Sequence, residues 1–216
     1  MLSTERADLL PAGLSVRNEP VQQRSVDRVT HLLDAAADLI DERGIDGLTT
    51  SDVATRSASS VGVVYRYFPN IQSLLRALAA RNMEKFITRI FGAMTDSTDE
   101  WMVALDSTID TYVDLCRNEP GFRALGFGDV IDKRFIQPEV SKNSVLALAF
   151  TELIVTKYAA APSDELSFDV EIIIEIADAL LQRAFLYERG GDERFISRLR
   201  VIVRDYLSPH VRPLAQ

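Results

Sequence analysis

Apolar residues recur three and four positions apart along most of the chain, which predicts a stack of amphipathic helices. Val29, Leu32, Leu33, Ala36, Leu39 and Ile40 form one such stripe, predicting a helix from about Ser25 to Arg43 that Gly44 ends. Ile45 and Leu48 are placed to plug a small three-helix core. Thr49-Thr50-Ser51-Asp52 has the capping-box pattern and opens a second, short helix with Val53 and Ala54 facing inward. Ala58-Ser59 reads as a turn, and Ser60 as the N-cap of a third helix. In that helix Val64 and Phe68 lie four apart on one face, and Pro69 stops it. So short a helix is not stable alone and must be held by its neighbours. Its free side would carry Val61, Gly62, Val63, Tyr65, Arg66 and Tyr67. Two short helices joined by a tight turn are a helix-turn-helix, whose second helix fits a DNA major groove.

The remaining stripes predict longer helices. Ile71 to Met94 reads as one connecting helix, with Leu74, Leu75 and Leu78 toward the small unit and Phe86, Ile90 and Met94 toward the next. After a polar loop, a helix runs to about Pro120. GFRALGFGD reads as a bend with a short helix and lacks the phosphate-loop pattern. Another long helix is broken at Pro162. Two final helices carry Ile172, Ile173, Ile176, Leu180, Leu181 and Ala184, then Phe195, Leu199, Ile202, Val203 and Tyr206. The expected fold is all-α. Residues 1–20 form a flexible tail, 21–72 a helix-turn-helix domain and 73–216 a larger helical domain.

Composition is that of an ordinary soluble globular protein, 47% hydrophobic and 26% charged. No transmembrane run and no secretory signal are read from it. Cys116 is the single cysteine, which excludes an internal disulfide and a cysteine-based zinc site and fits a reduced, cytoplasmic setting. No cofactor or metal pattern is present. His31 and His210 are far apart in sequence and join no catalytic constellation, so an enzyme is disfavoured. His31, off the apolar stripe, reads as a solvated residue, and Glu171, Glu175 and Asp178 as a solvated acidic face. The net charge of −8 bears on any DNA reading. From Pro20 to Asn70, Arg24, Arg28, Arg43, Arg56 and Arg66 face Asp27, Asp34, Asp38, Asp41, Glu42, Asp46 and Asp52. Phosphate contacts must then come from a few placed arginines and from backbone N–H groups at helix starts. Arg24 and Arg28, and Arg17 in the tail, are the candidates.

The stretch LLDAAADLIDERGIDGLTTSDVA…VGVVYRYFPN resembles the DNA-binding domain of the TetR family of bacterial transcriptional regulators, over about residues 24–75. The resemblance implies that Thr50 and Ser51 hold phosphates and that Val61, Gly62 and Val63, behind the Ser60 cap, face base edges. It implies backbone or base contacts for Tyr65, Arg66 and Tyr67. Family members often carry Gly at the place of Ala58, Val at Ser59, and Lys at Val61 and Ile71. The reading face left here is largely apolar, and valine packs on a thymine methyl, so thymines are expected opposite Val61 and Val63. The resemblance further implies a ligand cavity among the middle helices, with candidates Met83, Phe86, Phe91, Trp101, Leu105, Phe122, Phe127, Phe150 and Tyr187, and Arg123 and Asp129 as polar contacts. It also implies a homodimer built by the last two helices through Ile172, Ile173, Ile176, Leu180, Ala184, Leu199, Ile202 and Tyr206. A dimer places two recognition helices on successive major grooves of a palindromic double-stranded operator, about 34 Å apart. The expected function is a repressor released from that operator by a small-molecule effector. The alternative is a helical interaction protein of the same fold that has lost DNA binding, which the acidic small domain and the missing lysines favour.

Overall fold

A computed structural model describes residues 23–95, 100–125, 142–158 and 160–211. Arg17, Phe127 and Asp129 lie outside the described residues. Among the described residues there are eight helices and no strand: α1 (Gln23–Arg43), α2 (Thr50–Arg56), α3 (Val61–Tyr67), α4 (Ile71–Thr95), α5 (Trp101–Asn118), α6 (Lys142–Tyr158), α7 (Asp164–Phe185) and α8 (Glu193–Leu207). The fold is all-α, a helix-turn-helix unit followed by a helical domain.

The apolar stripe of α1 is buried as its spacing requires, with Leu32 and Ala36 wholly enclosed. Gly44, at φ 82°, ends the helix, and its N–H donates to Ile40 O (2.8 Å). Val53, Ala54, Val64 and Phe68 close a small core with Leu74, Leu78 and, from the turn after α5, Leu125. Ala35 and Ala37 are buried too, outside the stripe, because α1 is packed on more than one side. Gly121, in that turn, lies against Ala37: a Cβ there would sit 3.0 Å from the Ala37 Cα.

The second core gathers α5, α6, α7 and α8 with the far half of α4, whose Phe86 and Ile90 belong to it. α7 packs between α6 and α8, and α5 packs on both α8 and α4. α7 begins earlier than its apolar stripe because Ser163 caps it, accepting from Leu166 N (3.1 Å). α4 serves both cores, with the buried Asn82 at the changeover. Two further links join the units. Arg189, after α7, pairs with Asp41 of α1 (2.7 Å), and Arg81 of α4 pairs with Asp34 of α1 (2.6 Å).

Candidate nucleic-acid interface and ligand cavity

The helix-turn-helix is built from its caps outward. Thr49 Oγ1 accepts from Asp52 N (3.2 Å), and Asp52 Oδ2 accepts from Thr49 N (2.9 Å), so the capping box is complete. Hydrogen bonds from the Thr49 hydroxyl and from Arg43 hold the Asp52 carboxyl at about 2. Ala58 turns the chain at φ 49°, in the left-handed region that glycine prefers. Ser60 Oγ then accepts from Val63 N (3.3 Å) and starts α3. Val64 and Phe68 anchor the helix in the small core, and Phe68 N donates to Val64 O (2.8 Å).

The opposite side of α3 faces outward. Tyr65 is 52% exposed and Val61 38%; Gly62 and Arg66 are exposed as well. Val63 and Tyr67 are half-buried, and Tyr67 packs on the small core. Hydroxyl contacts brace the rings: Thr50 Oγ1 donates to the Tyr65 hydroxyl and Ser25 Oγ to that of Tyr67, both at 3.3 Å. Thr50 is itself buried, so its side chain serves Tyr65, whereas Ser51 is exposed at the start of α2. Arg28 Nη1 reaches Ser59 Oγ (3.4 Å) beside the turn. His31, expected to be merely solvated, has its Nε2 3.1 Å from Ser57 O; a carbonyl only accepts, so the ring donates there.

Charge sorts by position. Arg43 is paired with Asp52, Arg56 with Glu42 and Arg81 with Asp34. Asp41 is taken by Arg189. Arg24 and Arg66, by contrast, are exposed and make no ion pair among the described residues.

In the large domain a cavity of about 120 Å³ is lined mainly by α5, α6 and α7, with α4 and α8 at its margins. Phe86, Trp101, Leu105 and Phe150 line it. Phe122 does not: it is buried beside the cavity, edge-on to the Tyr112 ring at 5.4 Å. Tyr187 does not either. It follows the end of α7, is 80% exposed, and lies over the Arg183 guanidinium at 5.1 Å. The sequence reading missed Thr108, Tyr112 and Tyr158 on the cavity wall, although Trp101, Leu105, Thr108 and Tyr112 follow one another at helical spacing. It also put Asp178 on a solvated face, whereas Asp178 lines the cavity and its Oδ2 accepts from Gln182 Nε2 (2.8 Å). Cys116 is buried nearby, and burial pushes its thiol up to about 12, well out of the reactive range.

The expected dimer set divides. Ile173, Ala184 and Leu199 are enclosed in the chain's own core. Ile172, Ile176, Leu180 and Ile202 are half-buried, and Tyr206 is exposed. Phe168 of α7 and Val201 of α8 are exposed as well.

A capped recognition helix with a bare outer side, set on a helical domain with a cavity, defines a helix-turn-helix transcriptional regulator. A family model described as bacterial regulatory proteins, tetR family, matches residues 32–78, and one described as tetracyclin repressor-like, C-terminal domain, matches residues 99–211. The chain belongs to the TetR family of transcriptional regulators. It is 27% identical over 131 residues to YobS, an uncharacterized HTH-type transcriptional regulator of Bacillus subtilis, covering 60% of this chain and 65% of that protein. It is 32% identical over 79 residues to YvdT, another such regulator of Bacillus subtilis, covering 37% of this chain and 40% of that protein. The chain thus spans less than two thirds of these curated relatives. The crystal structure of a TetR-family transcriptional regulator from Streptomyces coelicolor superposes with a TM-score of 0.70 at 34% identity, covering 85% of this chain and 99% of that one.

Proposed function

We propose that the chain acts as a homodimeric repressor, binding a palindromic operator in the cytoplasm and leaving it when a small molecule fills the cavity. The observation that carries the reading is the two-sidedness of α3: Val64 and Phe68 are buried while Val61, Gly62, Tyr65 and Arg66 face outward. In this reading Ser51, the N–H groups behind the Ser60 cap, Arg24, Arg28 and Arg66 meet phosphates. Val61, Gly62 and Val63 meet base edges, with thymine methyls opposite the valines. Thr50 and Ser25 act indirectly, by orienting Tyr65 and Tyr67.

Two copies joined through the apolar surface of α7 and α8 would present two such helices. Among the described residues no helix is long and apolar enough to cross a membrane. No catalytic role is assigned. Release follows from packing. The cavity wall includes Tyr112, which abuts Phe122; the turn holding Phe122 also sets Gly121 and Leu125 on the small unit. A ligand shifts the domain arrangement only by its differential affinity for the two arrangements.

A gel-shift titration of the full chain against the DNA upstream of its own gene tests the reading. With three arginines per protomer on phosphates, log K should fall against log salt with a slope of about −5. Arg66→Ala should weaken binding and flatten that slope. No shift would favour the interaction-protein alternative; a shift unaffected by Arg66→Ala and by salt would contradict the assigned phosphate contacts.

A further inference from the structure

The cavity wall carries more chemical information than its size. Its lining is almost wholly carbon; Thr108, Tyr112, Tyr158 and Asp178 stand on the wall, but their polar atoms present almost no surface to the space. No lysine, arginine or histidine lines it among the described residues. The Thr108 hydroxyl already donates to Ala104 O (2.9 Å), and Asp178 Oδ2 already accepts from Gln182 Nε2 (2.8 Å). We propose, on the reading that this cavity is the effector site, that the effector is an uncharged, largely hydrocarbon or aromatic molecule, and that the site rejects carboxylates.

The reasoning is electrostatic. A carboxylate moved into such a space loses its hydration and gains no counter-ion among the described residues. Asp178 adds a charge of the same sign. Tyr112 is a neutral hydroxyl here, because burial first, then Cys116 and Asp178, push its ionisation well above the ordinary range. A cation fares worse than a neutral ligand as well, since it would be stripped of water to meet a carboxylate oxygen turned toward Gln182. As to size, an engineered apolar cavity of about 150 Å³ holds benzene, so this one suits about one ring.

Trp101 is the chain's only tryptophan and lines the cavity, so its emission reports entry. The full chain is titrated with toluene, benzoate and benzylammonium at neutral pH, following Trp101 emission and the melting temperature. Toluene should give a saturable change and a higher melting temperature. Benzoate and benzylammonium should bind at least about 10-fold more weakly. In Asp178→Asn, benzoate should gain several-fold while toluene is unchanged. Benzoate or benzylammonium binding as tightly as toluene to the native chain would overturn the ligand class while leaving the cavity an effector site. Silence from all three probes, in emission and in melting, would remove the effector-site reading itself. The comparison of probes on the native chain needs no variant to fold.

Discussion

At position 58 an alanine occupies backbone that suits glycine, at φ 49°. Side chains at such φ carry a steric cost, which the turn between α2 and α3 must offset. Ala58→Gly is expected to leave stability unchanged or raise it by up to about 1 kcal/mol, read from urea unfolding; a clear loss would mean the methyl packs usefully. Gly62 poses the opposite case. A Cβ there would meet only Ser60 Oγ, at 3.9 Å, so the fold has room for it. Gly62→Ala should therefore keep or raise the melting temperature, since alanine favours helix by about 1 kcal/mol. Its operator affinity should nevertheless drop, because the methyl stands between α3 and the bases; retained affinity would show that Gly62 makes no close approach. Asp52 gives a pH dependence. Its folded value of about 2 lies below the ordinary 3.8, so its contribution is present above about 3.8 and is lost as pH falls through about 2. The stability difference between the native chain and Asp52→Asn should shrink from pH 5 toward pH 2 in urea melts; a constant difference would contradict the hydrogen-bonding account.

Elements differ in how openly the sequence declares them. The α1 stripe, the Thr49–Asp52 box and the Ser60 cap are local patterns, and local geometry realises each one. The packing of Ala37 is not local: it arises because the turn after α5 folds back onto α1. Asp178 was misplaced for a related reason. Charged residues face solvent by default, and only the joint arrangement of α5, α6, α7 and α8 turns this one to a cavity. Phe122 and Tyr187 are large aromatics whose burial or exposure depends on tertiary position alone, so composition could not separate them from Phe86 or Trp101. Likewise α7 has apolar residues on more than one side, and periodicity cannot tell an inward Ile173 from a half-buried Ile172. The contact of Gly121 with Ala37 is the element-level test of coupling. At φ 70° and 3.0 Å from backbone, a Cβ forces the turn off α1. Gly121→Ala should destabilise the chain by about 1–3 kcal/mol and weaken the link between ligand and DNA. Unchanged ligand-induced release in this variant would place the coupling elsewhere, along α4.

For the whole molecule, a net charge of −8 does not forbid a DNA complex, because charge is sorted rather than spread. Asp34, Asp41, Glu42 and Asp52 are engaged by Arg81, Arg189, Arg56 and Arg43. Arg24 and Arg66 stay exposed without ion pairs among the described residues. In the proposed complex, acidity elsewhere would repel DNA from the wrong faces and so orient binding. One short helix reads few bases, so in the proposed dimer specificity would depend on two copies in fixed register. Selection of bound sequences from random duplex DNA, with the full chain, tests this most directly. The account predicts an enriched inverted repeat whose half-sites lie one helical turn apart and contain thymines; a bound pool with no common sequence, or none bound at all, would contradict it.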